Sequence, residues 1–201
     1  MAETRSYNSP LREEKARETR EAILRALYRL MCADAGPDEI SMDAMATEAG
    51  IQRRTVFRHF PTKDDLLMAF WPWLNELLGV SIVPDSVADI VAGPQHTFPR
   101  FDAHEAAMRA SLHSPTGRSM RSGMVPARRL RFGRALAPVL ATLPPNEAQR
   151  VEALAHLLYS ASAWEVLKDY GGLTGAQAGE AASWALDTIL SAVASGSLPR
   201  T

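Results

Sequence analysis

Apolar residues recur along this chain at steps of three and four, and no stretch alternates apolar with polar over the length of a strand. From Leu11 to about Ala33, Ile23, Leu27, Leu30 and Met31 share one helical face. Residues 1–10 are polar, end in Pro10 and read as a mobile arm. "DAGPDE" then breaks the helix. Ser41 is a good N-cap for "MDAMATEA", with Asp43 in the first turn where the helix dipole favours an anion. Gly50 stops that helix, since glycine takes a left-handed conformation without a Cβ clash. A short helix from about Gln52 to His59 follows and is closed by Pro61. Thr62 with Asp65 forms a capping box for the next helix, which carries Leu66, Leu67, Phe70, Trp71 and Leu74. Pro72 lies inside that pattern, so a kink or break is expected one turn upstream of it.

Beyond residue 80 the pattern predicts short helices in "VPDSVADIVAGP" and "DAHEAAMRASLH", and another from about Pro126 to Leu143. "PPNE" opens a long amphipathic helix from about Asn146 to Tyr170. A capping box of Thr174 and Gln177 opens the last helix, which runs to about Ala194 and is rich in Ala181, Ala185 and Ala192, with Trp184 among them. The expectation is an all-α protein of about nine helices.

Two short helices joined by a glycine turn, with a third following at once, make a helix-turn-helix pattern. Ala46, four residues before Gly50, lets the two helices cross closely. Met45, Ala49, Ile51, Val56 and Phe60 form a small inner core. At 100° per residue, Arg53, Arg54, Phe57 and Arg58 then fall on the outward side. Outward arginines pair with phosphates or bind guanine bidentately through O6 and N7. Gln52 and Thr55 supply shorter hydrogen bonds. Lys63 stands in the first turn of the next helix, where it opposes the dipole unless a phosphate is bound there. Three arginines on so short a helix also suit a plain solvated face, and it is the frame of cap, small residue, turn and capped exit that makes the pattern specific.

Composition constrains this reading only locally. Of 201 residues, 46% are hydrophobic and 22% charged, which is ordinary for a globular protein. Residues 1–70 hold 11 Lys+Arg against 12 Asp+Glu, so a nucleic-acid function must rest on placement rather than on bulk charge. One cysteine, Cys32, excludes an intramolecular disulfide and reads as a small buried hydrophobe. The N-terminal stretch has no apolar run of the signal-peptide kind, and nowhere do eighteen apolar residues stand together. A cytoplasmic location without membrane contact is expected.

Residues 19–67, "TREAILRALYRLMCADAGPDEISMDAMATEAGIQRRTVFRHFPTKDDLL", resemble the N-terminal domain of the TetR family of bacterial transcriptional regulators. The "TVFRHFPTKDDLL" ending carries most of the resemblance. It implies an all-α homodimer that binds palindromic double-stranded operator DNA through this domain. It also implies a divergent C-terminal domain with a ligand cavity, and repression relieved by a small-molecule effector. Carried over by position, it makes Gln52 to His59 the recognition helix. Arg53, Arg54 and Thr55 face bases and phosphates, His59 is on the phosphate side, Lys63 contacts the backbone, and Ser41 and Met42 start the supporting helix. Phe57 stands where the family most often has tyrosine, so a phenolic hydrogen bond to phosphate is missing; its ring is left to touch a thymine methyl or to pack. "DAGPDEIS" also replaces the usual glycine-aromatic-threonine stretch. The division that follows is an arm at 1–10, a three-helix DNA-binding domain at 11–68, and a ligand-binding and dimerisation domain at 69–201.

In that second part the last two helices are expected to pair with their copies as a four-helix dimer interface, intrachain packing being the alternative. Trp71, Phe101, Met108, Met120, Met124, Phe132, Tyr159 and Trp164 are candidates to line an apolar effector pocket, and the same side chains also suit an ordinary core. Arg118, Arg121, Arg128, Arg129, Arg131 and Arg134 read as a solvated, partly mobile face, or as a binder of acidic ligands. The histidines have no carboxylates at metal-ligand spacing, so no metal and no cofactor is expected. Without a nucleophile motif, a phosphate loop or paired carboxylates, an enzyme is not expected. The competing reading is a helical protein-interaction module with a degenerate helix-turn-helix that does not bind DNA.

Overall fold

The computed structural model describes residues 10–33, 39–80 and 84–197. Ten helices, and no strand, occur among the described residues: α1 (Pro10–Cys32), α2 (Met42–Glu48), α3 (Arg53–His59), α4 (Lys63–Leu77), α5 (Val87–Ala103), α6 (Glu105–His113), α7 (Pro115–Leu140), α8 (Pro145–Leu158), α9 (Ala161–Asp169) and α10 (Gly175–Ala194). They fall into two compact units that meet in sequence between Trp73 and Leu74. The expected arm and most of "DAGPDE" lie outside the described residues.

In the first unit, α1 buries Ile23, Leu24, Ala26, Leu27 and Met31. Its Arg29 reaches α2, where Nε meets the Glu48 carboxylate and Nη2 donates to the Glu48 carbonyl. That carbonyl belongs to the last turn of α2, where no intrahelical partner exists for it. Cys32 is exposed at the end of α1, not buried, because Met31 takes the inward position of the last turn and Cys32, 100° on, points away from it. Pro72 does not interrupt α4. Pro72 and Met68, whose carbonyl the proline leaves without its helical partner, are both exposed, so water is at hand for the freed group.

The second unit is built on α5 against α10. Gly175 and Gly179 make the close approach possible: a Cβ on Gly179 would lie 2.8 Å from the Pro94 carbonyl oxygen, and one on Gly175 2.5 Å from the Asp102 Cβ. A core of Ile90, Phe132, Ala135, Leu136, Val151, Ala155, Leu186, Leu190 and Val193 fills the space between α5, α7, α8 and α10. Burial of Ile90, Phe98 and Phe101 carries α5 through Pro94 and Pro99, where sequence reading ends it early. In the same way α7 starts at Pro115, not near Pro126, because Ser114 Oγ accepts from Gly117 N at 3.0 Å and caps it there.

The helix expected over 146–170 is two helices, which accounts for ten rather than about nine. Ser160 adopts an extended conformation, and its Oγ accepts from Ala163 N at 3.1 Å, restarting the helix as α9. The apolar period continues across the break, so periodicity alone conceals it.

An ionic cluster ties α5, α6, α9 and α10. Arg109 bridges Glu105, Glu165 and Asp169, while Lys168 meets Asp102 and Glu105. Asp102 also accepts from Gly175 N at the start of α10, 3.2 Å away. Burial raises the Asp102 carboxyl, but hydrogen bonds from Lys168 and Gly175 outweigh it and hold the group below the usual carboxylate range. A carboxyl depressed in the folded state stabilises above its unfolded pKa, and that contribution is lost as pH falls through the folded value. The unfolding midpoint of the wild type therefore falls below about pH 4. In Asp102→Asn it is lower at pH 7 and flatter on the acid side, as thermal melts across pH will read.

Candidate nucleic-acid interface

The turn between α2 and α3 follows from hydrogen bonding at the end of α2. Gly50 sits at φ 66°, its N–H donates to the Thr47 carbonyl at 3.1 Å, and the Ile51 N–H donates to the Ala46 carbonyl at 3.0 Å. This is the Schellman pattern, which satisfies orphan carbonyls and turns the chain sharply. A Cβ on Gly50 would meet nothing within 4 Å, so glycine is needed for its backbone angle and not for space. Gly50→Ala is expected to destabilise the protein by about 1–2 kcal/mol, measured by denaturant unfolding.

Beyond the turn, α3 buries Val56 completely, and Phe60 seals its far end. Thr62 and Asp65 then cap the entry to α4 reciprocally: Asp65 N donates to Thr62 Oγ1 at 3.1 Å and Thr62 N to Asp65 Oδ2 at 3.1 Å. With Val56 and Phe60 pinned, Gln52, Arg53, Arg54, Phe57 and Arg58 are exposed, while Thr55 and His59 are half-buried. Ser41 is exposed, and its Oγ accepts from Ala44 N at 3.1 Å as the N-cap of α2; Met42 beside it is half-buried. Lys63 is half-buried as the first residue of α4.

The three arginines are not equivalent. Arg53 Nε lies 3.1 Å from Asp43 Oδ1 on α2, and its guanidinium sits 5.3 Å from the Phe57 ring centroid. Both members of that ion pair are exposed, so the pair is weak. Arg54 and Arg58 have no carboxylate partner among the described residues. His59 Nε2 is buried without a hydrogen bond. Burial, then Arg58 and Arg20, push its imidazole below the ordinary histidine value, so it is neutral at pH 7 and brings no charge to a phosphate. Sequence reading missed Arg20 of α1, whose guanidinium covers the Phe60 ring at 4.3 Å and approaches the His59 carbonyl at 3.4 Å. It also missed the Asp43 tether on Arg53. Both link residues distant in the chain, and nothing in the local pattern marks them.

The pocket candidates separate into groups. Phe101 and Trp164 meet edge-on with ring centroids 5.9 Å apart, and Phe132 meets Tyr159 edge-on at 5.4 Å. Met108 is buried on α6, Met120 is half-buried on α7, and Met124 is 53% exposed on the same helix. Trp71 lies on the first-unit part of α4, against Phe70. No group of His, Cys, Asp and Glu suited to hold a metal occurs among the described residues. None of the described helices is long and apolar enough to cross a membrane.

A family model described as "Bacterial regulatory proteins, tetR family" matches residues 23–70, which contain α2, α3 and their turn. The whole fold is similar to a tetR-family transcriptional regulator from Streptomyces coelicolor, at 20% identity and TM-score 0.63, over 90% of this chain and 83% of that one. It is also similar to a transcriptional regulator from Rhodococcus sp. Rha1, at 19% identity and TM-score 0.56, over 90% of this chain and 99% of that one. No curated protein matches the sequence. The chain thus carries the N-terminal domain of the tetR family of bacterial regulators, on the all-helical fold of that family's transcriptional regulators.

Proposed function

We propose that the protein is a homodimeric repressor that binds palindromic operator DNA through residues 11–68 and is released by a small-molecule effector held in residues 69–201. The observation that carries this is the exposed face of α3, where Arg53, Arg54 and Arg58 surround Phe57 on a helix held by the Gly50 turn. Gln52 and Thr55 add hydrogen-bonding groups on that helix. Ser41, Met42, His59 and Lys63 flank it, with His59 acting as a neutral group. Phe57, lacking a hydroxyl, offers its ring edge to a thymine methyl.

Two recognition helices must be spaced by about one DNA turn to read a palindrome, which requires a dimer. Support for one comes from α8, α9 and α10, which leave Leu154, Leu157, Val166, Tyr170 and Trp184 exposed. On α10, Gly175, Ala178, Gly179 and Ala182 face inward, whereas Ala181, Ala185 and Ala192 flank the open Trp184 face. The effector acts by favouring one spacing of the two DNA-binding domains over another.

Selection of bound sites from random DNA, followed by titration of the winner at several salt concentrations, tests the reading. A palindromic consensus with affinity falling steeply in salt supports it. Failure to enrich any sequence, with salt-insensitive retention, overturns DNA binding in favour of a protein-interaction role.

A further inference from the structure

Helix α7 carries six arginines, at 118, 121, 128, 129, 131 and 134, and no acidic residue from Pro115 to Leu140. No carboxylate among the described residues pairs with any of the six. The second unit does not lack acids: Arg109 and Lys168 are matched there with Asp102, Glu105, Glu165 and Asp169. The positive charge of α7 is therefore unmatched by carboxylates among the described residues.

Two of these arginines hold carbonyls of neighbouring helices, Arg121 while still exposed and Arg128 half-buried, which the sequence does not show. Arg121 donates through Nη1 and Nη2 to the Ser111 and Leu112 carbonyls at the end of α6, at 2.7 and 2.8 Å. Arg128 donates to the His156 and Tyr159 carbonyls at the break after α8, at 3.3 and 3.0 Å, and through Nε to His156 Nδ1 at 3.3 Å. Its guanidinium stacks over Phe132 at 4.8 Å and Tyr159 at 5.6 Å. Its remaining nitrogen, Nη1, has no hydrogen bond among the described residues. Burial disfavours the charged form of Arg128, Tyr159 offsets this only in part, and no carboxylate among the described residues pairs with it.

Between these two anchors, Met124 and Val125 stand three and four residues from each arginine, so all four side chains share one face of α7. The same face is buried one turn later, at Phe132. Yet Met124 is 53% and Val125 46% exposed. Two apolar side chains thus lie open on the face that carries Phe132 further along, a window between two arginines whose positions are about 10 Å apart along the helix axis.

We propose that this window binds an amphipathic organic acid, its carboxylate on Arg128 Nη1 and its apolar body along Met124 and Val125 toward Arg121. Such a head group neutralises a partly desolvated cation through a charge-assisted hydrogen bond, and the tail covers the exposed apolar pair. The assignment names a chemical class for the effector and rests, for any regulatory meaning, on the proposed role of residues 69–201.

The test is calorimetric titration of the full-length protein, without DNA, with decanoate, decanol and decylamine, each kept below micelle-forming concentrations. Decanoate is expected to bind roughly tenfold more tightly than decanol, and decylamine not at all. Arg128→Lys keeps the charge but loses the planar fork, and is expected to weaken decanoate while leaving decanol unchanged. Met124→Glu, at an exposed position that tolerates the change, supplies an internal carboxylate one turn from Arg128 and is expected to abolish decanoate binding. Equal affinity for decanoate and decanol, no decanoate binding, or undiminished binding by Met124→Glu overturns the assignment. None of those outcomes touches DNA recognition, and Arg54→Ala must bind decanoate like the wild type. If decanoate binds but leaves the protein on its DNA site, the binding window stands and the effector reading falls.

Discussion

Arg54→Ala and Arg58→Ala are each expected to weaken binding to the selected DNA site by about 1–3 kcal/mol, roughly 5- to 150-fold, with unfolding midpoints unchanged. Both side chains are exposed, and neither has a carboxylate partner among the described residues, so their removal costs the fold nothing that the structure records. Arg53→Ala is expected to have a smaller effect. Arg53 is shared with Asp43 and leans on Phe57, and DNA must compete with that ion pair before using the guanidinium fully. Substituting an arginine that reads a base relaxes preference at one position. Substituting one that holds phosphate weakens all sequences alike and lowers the salt slope. Equilibrium titration of each variant against the selected site and single-base variants of it, at two salt concentrations, separates these roles. Equal and negligible losses at all three arginines will show that α3 does not face DNA.

Trp184→Glu is expected to convert the proposed dimer to monomers at micromolar concentration, a loss of about 2–4 kcal/mol in association. The residue is 74% exposed in the single chain, on an α10 face whose neighbours Ala181, Ala185 and Ala192 are small. A tryptophan held so far into solvent has most of its apolar surface uncovered, and in the proposed dimer a second copy of the same face would cover it. A glutamate at that place puts two like charges close to the symmetry axis and buries nothing. Operator affinity falls with dimerisation, because a monomer reaches one half-site only. Analytical ultracentrifugation reads the assembly state, and circular dichroism checks that the monomer keeps its helices. A variant that stays dimeric places the interface elsewhere.

The first seventy-odd residues were largely legible as sequence because their structure is decided locally. Ser41, Gly50 and the Thr62–Asp65 pair each act on backbone groups within four residues of themselves, so their effect is written beside them in the chain. Once those caps set the ends of α2, α3 and α4, the 3.6-residue period assigns Val56 inward and Arg54 outward. What escaped were contacts between distant positions, such as Arg20 over Phe60, Arg29 on Glu48 and Asp43 on Arg53. Beyond residue 80 the local signals misled more often. Pro94, Pro99 and Pro126 punctuate the sequence, but α5 runs through the first two because Ile90, Phe98 and Phe101 are buried, and α7 runs through Pro126 although Met124 and Val125 beside it are exposed. Ser160, a weak signal among apolar residues, ends one helix and starts another.

By itself the sequence determined the helical class, the helix-turn-helix frame and the outward aim of the α3 arginines, since capping and periodicity need only near neighbours. Tertiary structure alone decided which charges are matched. Asp43 takes up part of Arg53, Asp102, Glu105, Glu165 and Asp169 pair with Arg109 and Lys168, and no carboxylate among the described residues reaches the arginines of α7. Pairing of charges depends on distances of a few ångströms between residues tens of positions apart, which composition and period do not encode. That is why the sequence does not show that Arg121 and Arg128 are anchored on carbonyls of α6 and of the break after α8.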